Sequence, residues 1–223
     1  MSVYTPHFAP VAVLAFLGTA ALLILCFVVA LIGAVGKSRT TVVGAIAAGL
    51  TILVGYAVVL FGISLFSKDV QISQGAWKYF CEIDCHIAYT VGGFEMVESA
   101  ANERFAVVEL KTWFDPMTIS PNRGNGPLTP NGRTLVLLDD HGRKFAPSAK
   151  SEALLASRRL HSTPLREALR PGESYVSYVV FEVPPDARGL RLLLTSSDEE
   201  GFLIWDDESS PFHHKAYFAL AKS

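Results

Sequence analysis

The first 66 residues contain no Asp or Glu, and their only formally charged side chains are Lys37 and Arg39. Without a charged group inside an apolar segment, this part of the chain lacks the usual relay of a transporter or pump. It contains instead two apolar runs, Pro10–Val35 and residues 42–66, each longer than the roughly 20 residues that cross a bilayer as a helix. The sequence therefore predicts a two-helix transmembrane hairpin over residues 1–66.

Lys and Arg are also lacking before the first apolar run, which is longer than a signal-peptide core and is followed at once by a second run. We therefore expect both helices in the mature protein. Positive residues in short loops tend to stay in the cytoplasm, and Lys37 and Arg39 lie in the short connection. This predicts a multi-pass protein of the bacterial inner membrane, with the N-terminus and residues 67–223 extracytoplasmic; Lys68 weakly opposes that orientation.

Small residues recur in the second apolar run. Ala45 and Gly49 are four positions apart, a spacing that lets another helix approach closely. The simpler interpretation is packing within the hairpin, and a specific partner helix is the alternative. The lipid bilayer is the first expected partner.

After residue 66 the chain carries 17 basic and 21 acidic side chains, a formal charge of −4. This mild acidity does not favour nucleic acid as a partner. The chain contains no G-x-S-x-G elbow and no phosphate-binding glycine loop, and we expect no cofactor.

Residues 67–76 are polar and predict a tether, and residues 77–223 predict one extracytoplasmic domain. Short β-branched and aromatic runs separated by Gly, Pro, Asn and Asp indicate strands. Residues 148–160 favour a short helix, because an acidic residue lies near the start and two arginines near the end. The predicted strands are residues 87–91, 94–97, 105–114, 134–138, 175–183, 190–195, 202–205 and 216–220. This pattern predicts an all-β, antiparallel β-sandwich.

Three segments carry a family resemblance: residues 134–148 (TLVLLDDHGRKFAPS), 169–174 (LRPGES) and 179–184 (VVFEVP). They resemble the telokin-like, immunoglobulin-like extracytoplasmic domain of many bacterial lipoproteins and membrane proteins. The resemblance covers roughly residues 87–220. It implies an immunoglobulin-like sandwich that serves as an accessory or interaction module and is not an enzyme. The segment 81–86 is not part of that family pattern.

The segment 81–86 (CEIDCH) is the one local group of thiol and imidazole side chains. The favoured interpretation is a disulfide between Cys81 and Cys85, since exported thiols usually pair. Residues four apart in a straight strand are about 13 Å apart, whereas a disulfide needs Cα atoms within about 7 Å. The bridge therefore requires a bend between the two cysteines.

A metal site is the second interpretation, with Cys81, Cys85 and His86 as ligands and His213 or His214 completing the set; these ligands suit copper or zinc. The segment is similar to the motif of the copper-bearing subunit of haem–copper oxidases. That motif requires His and Met where this chain has Tyr89 and Gly92, which removes two ligands.

Covalent haem is a third interpretation, although its usual spacing is C-x-x-C-H. Free redox-active thiols are a fourth, opposed by Glu82 and Asp84, which disfavour a thiolate. The alternative function is therefore an electron-transfer or metal-handling subunit that uses Cys81, Cys85 and His86 with copper or haem.

Weaker candidates have simpler interpretations. We expect His213 and His214 to lie in a solvated turn and residues 206–208 (DDE) to form a charged loop. Trp77, Trp113 and Trp205 are expected in the core or at its boundary. The sequence thus predicts a membrane-anchored extracytoplasmic module that binds another envelope or membrane protein.

Overall fold

The computed structural model describes residues 3–4, 9–80, 86–99, 103–120, 122–197 and 201–220. The chain forms two compact units. The β unit comprises Met1–Pro6, Asp69–Glu200 and Lys215–Ser223, and the helical unit comprises His7–Lys68 and Gly201–His214. The 201–214 loop therefore belongs with the helices, although the chain on either side of it belongs to the β unit.

Two long helices, α1 (Ala9–Val35) and α2 (Arg39–Phe66), form most of the helical unit. Ser38 caps α2, because its Oγ accepts a hydrogen bond from the Thr41 N–H at 3.4 Å. Both helices are long and apolar enough to cross a membrane, and nearly all of their apolar surface is exposed. The prediction of two apolar helices is confirmed.

Small residues lie where the two helices meet. A Cβ added at Gly49 would lie 3.5 Å from the Cβ of Cys26, and one added at Gly33 would lie 3.0 Å from the Thr41 side chain. Ala45 is 9% exposed. Small side chains thus line this part of the contact between α1 and α2, and an added Cβ would be tightly confined at Gly33.

In the described residues the β unit contains ten strands and one short helix. The strands are β1 (Val3–Tyr4), β2 (Val70–Ile72), β3 (Trp77–Phe80), β4 (Ile87–Glu98), β5 (Arg104–Phe114), β6 (Arg133–Leu138), β7 (Lys144–Phe145), β8 (Ser174–Glu182), β9 (Arg191–Ser196) and β10 (Ala216–Ala219), and the helix is α3 (Ser151–Ser157).

The strands form two five-stranded sheets, in the orders β1-β3-β4-β5-β8 and β2-β10-β9-β6-β7. The inner pairs are antiparallel, but β1 pairs with β3 and β2 pairs with β10 in parallel. The expectation of purely antiparallel sheets is thus corrected at two edges. A parallel pair needs a long connection, and β1 reaches β3 through the whole hairpin.

A single core joins the two sheets, as in a β-sandwich. Tyr89, Phe114 and Phe181 from the first sheet and Leu192 and Phe218 from the second are fully buried in one cluster. Strand β5 is covered on both faces, since its alternate residues also pack, with β8, against α3. The β-rich domain with a real core is confirmed.

Three sequence expectations differ from the structure. Strand β2 lies within the predicted tether 67–76 and pairs with β10. Residues 202–205, predicted as a strand, form turns in the helical unit. Residues 87–97, predicted as two strands, form the single strand β4 with an irregularity between Val91 and Gly93.

Candidate functional site

His86, the last residue of the 81–86 segment, is 7% exposed and directly precedes strand β4. Its ring stacks on Phe114 with centroids 5.7 Å apart, and its carbonyl accepts the Asp115 N–H at 2.8 Å. Cys81 and Cys85 lie outside the described residues, so the disulfide, metal and haem interpretations stay predictions. His86 itself is held firmly by the sheet and the following loop.

The Nδ1 atom of His86 lies 2.9 Å from Thr118 Oγ1. Thr118 donates its own hydroxyl proton to the Asp115 carbonyl at 3.1 Å. The hydroxyl oxygen therefore accepts from His86 Nδ1–H, which assigns the proton of a neutral ring to Nδ1. A metal at His86 would have to bind through Nε2 in this arrangement.

A cavity of about 120 Å³ adjoins His86. It is lined by Phe80, His86, Ile87, Leu128, Thr129, Pro130, Asn131 and Arg133. Pockets for drug-sized ligands measure about 300–1,000 Å³. The cavity therefore accommodates water or a very small group, with the Arg133 guanidinium as its fixed charge.

Arg133 lies in a cluster of cations and aromatic rings. Its guanidinium carbon is 4.0 Å from the Phe80 ring centroid and 5.8 Å from that of Tyr89. The two rings meet edge to face with centroids 5.5 Å apart, and Arg133 Nη1 donates to Ser196 Oγ at 2.8 Å. These contacts fix the guanidinium against the aromatic faces, an arrangement that stabilises a desolvated cation.

Lys78 adds a second cation to the same cluster and is 1% exposed. Its Nζ lies 5.1 Å from the Phe80 ring centroid and donates to the carbonyls of Leu194, at 2.8 Å, and Ala216, at 3.3 Å. Lys78 belongs to the first sheet and the two carbonyls to the second. The ammonium therefore links the sheets across the core, a structural role that composition did not indicate.

On the outer face of β3, the Tyr79 hydroxyl donates to Asp115 Oδ2 at 2.6 Å. Burial, together with this bond and the charge of Asp115, raises the pKa of the Tyr79 hydroxyl well above its ordinary value. The other carboxylate oxygen of Asp115 accepts the Met117 N–H at 2.8 Å. Asp115 thus anchors the loop that carries Thr118, the partner of His86.

A second group of ionisable residues lies in the turn between β6 and β7. Asp139 accepts from the N–H groups of His141 and Arg143 and from Arg143 Nε, at 2.6–3.0 Å. Burial acts to raise the pKa of Asp139, but these donors outweigh it and hold the pKa below its ordinary value. Asp139, Asp140 and His141 lie close enough to hold a metal ion, yet the donors already bound to Asp139 identify a structural turn.

The family-like segments fold as turns and core strands. Arg170 N–H donates to Glu173 Oε2 at 2.7 Å, and Gly172 adopts a φ of 86° in the same turn. Phe181 and Val183 are buried in the shared core. These residues therefore contribute to the turns and the core of the sandwich.

In the helical unit the expectation for His213 is wrong, because its side chain is only 9% exposed. Its Nε2 lies 3.7 Å from Asp206 Oδ1, and its Nδ1–H donates to the His214 carbonyl at 2.7 Å. The Asp206 carboxylate raises the pKa of His213 against the opposing effect of burial. His214 is exposed, as expected.

Lys37 lies in the connection between the helices, as expected, whereas Arg39, which was also expected in the connection, is the first residue of α2. Lys37 adopts a φ of 53°, which closes the tight turn between the helices. Among the cysteines of the described residues, Cys26 is a free thiol within α1.

No protein-family model matches the chain, and no curated protein matches it. A solved structure, that of the secreted protein MPT63 from Mycobacterium tuberculosis, is similar at a TM-score of 0.42 and 8% sequence identity. The match covers 68% of this chain and 98% of MPT63. A score and identity this low carry no argument about function.

Proposed function

We propose that this protein is a membrane-anchored module whose β unit lies on the extracytoplasmic side and binds another protein of the cell envelope or of a membrane complex. The observation that carries the proposal is the pairing of β1, which precedes α1, with β3, which follows α2. Val3 is in register with Trp77 and Tyr4 with Lys78. A chain that leaves a sheet through one apolar helix and returns to it through another is suited to anchoring that sheet at one membrane face.

The side of the membrane follows from the charges. Lys37 lies in the turn between the helices and Arg39 at the first residue of α2, and short positively charged connections tend to remain cytoplasmic. Both ends of the hairpin, and with them the β unit, are then extracytoplasmic in the bacterial inner membrane.

An immunoglobulin-like assignment of the β unit, of the telokin-like kind, forms part of the proposal. It is supported by the fully buried Phe181 in the strand that ends before Pro184, and by the Asp139 and Gly172 turns. Such residues build a stable scaffold that presents loops to a partner.

Interaction is favoured over catalysis because three buried charged side chains of the β unit are engaged in structural bonds. Lys78 bonds carbonyls of the opposite sheet, Asp115 bonds Tyr79, and Asp139 bonds Arg143. The cavity near His86, at about 120 Å³, is also small for a substrate.

The test uses full-length protein fused at its C-terminus to alkaline phosphatase or to green fluorescent protein. We expect active phosphatase and no green fluorescence, since the C-terminus is placed outside. Replacing Lys37 and Arg39 with Glu should shift part of the population to the opposite orientation, because the positive charges that hold the loop inside are gone. Fluorescence of the unaltered fusion would contradict the proposed topology.

Electron transfer or metal handling is the rival hypothesis, and the same preparation tests it. Intact-mass measurement of the purified chain should show a loss of two hydrogens for a Cys81–Cys85 bridge, without an added haem mass. Stoichiometric copper together with free thiols would favour the rival and count against the interaction module.

A further inference from the structure

The 201–214 loop (GFLIWDDESSPFHH) combines an apolar start with an acidic middle. Three of its large apolar side chains are exposed: Phe202 by 48%, Leu203 by 49% and Phe212 by 70%. Exposed apolar side chains that lie together on one loop indicate a surface that contacts lipid or another protein.

The loop packs directly against α2. The Tyr56 hydroxyl donates to the Leu203 carbonyl at 2.5 Å, and the rings of Phe61 and Phe212 lie 6.1 Å apart. At the end of the helix, Ser67 Oγ accepts the His214 N–H at 2.9 Å. The loop therefore lies along the last three turns of α2, between the end of that helix and Tyr56.

The depth of the loop follows from helix geometry. Tyr56 precedes Phe66 by ten residues, which places it about 15 Å from the end of α2. The hydrocarbon core of a bilayer is about 30 Å thick and accommodates about 20 helical residues. With Arg39 held at one boundary, the other boundary falls near residue 59, so Tyr56 and the bonded Leu203 lie on the hydrocarbon side of it.

Several polar groups of the loop bond to other groups of the same loop, which lowers the cost of placing it against lipid. Ile204 N–H donates to the Gly201 carbonyl, Ser210 Oγ to the Ile204 carbonyl, and Ser209 N–H to Asp207 Oδ1. The Asp206 carboxylate is paired with His213. Polar groups thus face one another while Phe202 and Leu203 face outward.

We propose that the 201–214 loop inserts Phe202 and Leu203 into the lipid leaflet at the Phe66 end of the hairpin. The apolar edge of the loop is continuous with the exposed apolar surface of α2, and aromatic residues such as Trp205 favour the interfacial zone. This inference rests on the proposed function, because it requires the hairpin to span a bilayer. It adds a second, non-helical membrane contact to the anchor.

The test adds single tryptophan probes to a full-length parent protein that carries Trp205→Phe. The remaining Trp77 and Trp113 give the same background emission in every variant. Phe202→Trp reports the loop, Phe27→Trp reports the exposed face of α1, and Met117→Trp, at a position 87% exposed in the β unit, is the aqueous control. Each protein is reconstituted into phosphatidylcholine vesicles with or without bromine in the acyl chains.

We expect brominated lipid to quench most of the added emission of Phe202→Trp and Phe27→Trp, whereas iodide quenches that of Met117→Trp. Quenching of Phe27→Trp without quenching of Phe202→Trp would overturn the loop inference and leave the hairpin intact. Protection of Phe202→Trp from both quenchers would also overturn it, because protein would then cover the loop. If brominated lipid did not quench Phe27→Trp, the proposed membrane-spanning hairpin would be wrong, and the loop inference would be wrong with it.

Discussion

The β unit and the helical unit distribute polar groups in opposite ways. In the β unit, Lys78, Asp115 and Asp139 are buried, and each is bonded to backbone groups or to an oppositely polar side chain. In the helical unit, the long helices carry no charge between Arg39 and Phe66, and polar contacts concentrate where the 201–214 loop meets α2. The β unit thus owes its stability to internal packing, whereas lipid is the expected solvent for most of the helical surface.

The largest expected contrast concerns phenylalanine. Phe181→Ala should lower the free energy of unfolding by about 3–5 kcal/mol, since the ring is fully buried in the shared core. Phe27→Ala, at a side chain 64% exposed on α1, should change it by less than about 1 kcal/mol. Urea unfolding of the full chain in detergent, followed by near-ultraviolet circular dichroism, measures both. Equal losses of unfolding free energy in Phe181→Ala and Phe27→Ala would mean that the two units do not differ in how much internal packing stabilises them.

A smaller contrast concerns two tyrosine hydroxyls. Tyr79→Phe removes the donor to buried Asp115 and should reduce stability by about 1–3 kcal/mol. It should also speed amide exchange at Met117, whose N–H is bonded to the same carboxylate. Tyr56→Phe removes the bond to Leu203 and should change only opening of the 201–214 loop, by about 0.6 kcal/mol.

Hydrogen exchange followed by mass spectrometry distinguishes these results by region. Slow exchange at Met117 in Tyr79→Phe would show that Asp115 positions the loop without the tyrosine. Global destabilisation by Tyr56→Phe would show that the loop contact is part of the core of its unit.

The sequence predicted elements whose pattern is local. The ends of α1 and α2 fall within three residues of the predicted runs, and β5 and β8 within one residue, because length and apolar periodicity define them. Strands β1 and β2 have only two and three residues, respectively. They form because a neighbouring strand offers an open edge for pairing. A pattern of two or three residues does not reveal such an edge.

The same limit explains the errors in the helical unit. Residues 202–205 have the composition of a strand, but their neighbour is an apolar helix and not a sheet edge. The sequence predicted a solvated His213 because its partner Asp206 lies seven residues earlier, in the acidic middle of the same loop. The resemblance to immunoglobulin-like domains and the pairing of Cys81 with Cys85 both stay predictions.

A pH-dependent contrast begins with Asp139. Its pKa is lowered in the folded state, so its contribution to stability is present above the ordinary value of 3.8 and is lost as the pH falls through the folded pKa. Asp139→Asn should therefore reduce stability at neutral pH and flatten the acid-side decline. Asp140→Asn is the control, because that carboxylate is half-exposed and pairs with the exposed His141. The free energy of unfolding of both variants is measured from neutral to acidic pH. The same pH dependence in both would contradict the stabilising role of the Asp139 carboxylate.

The smallest expected effect is the pH dependence of the 201–214 loop. The Asp206 carboxylate, 3.7 Å away, raises the pKa of His213, so the contribution of this ion pair is fully present below the ordinary value of 6.5 and is lost as the pH rises through the folded pKa. Protection factors for loop amides should fall over that range, which lies on the alkaline side of the Asp139 transition. His213→Gln should abolish the fall, whereas His214→Gln, at an exposed side chain, should retain it. An unchanged profile in His213→Gln would show that the ion pair does not hold the loop, and that the helical unit has no titrating contact comparable to Asp139.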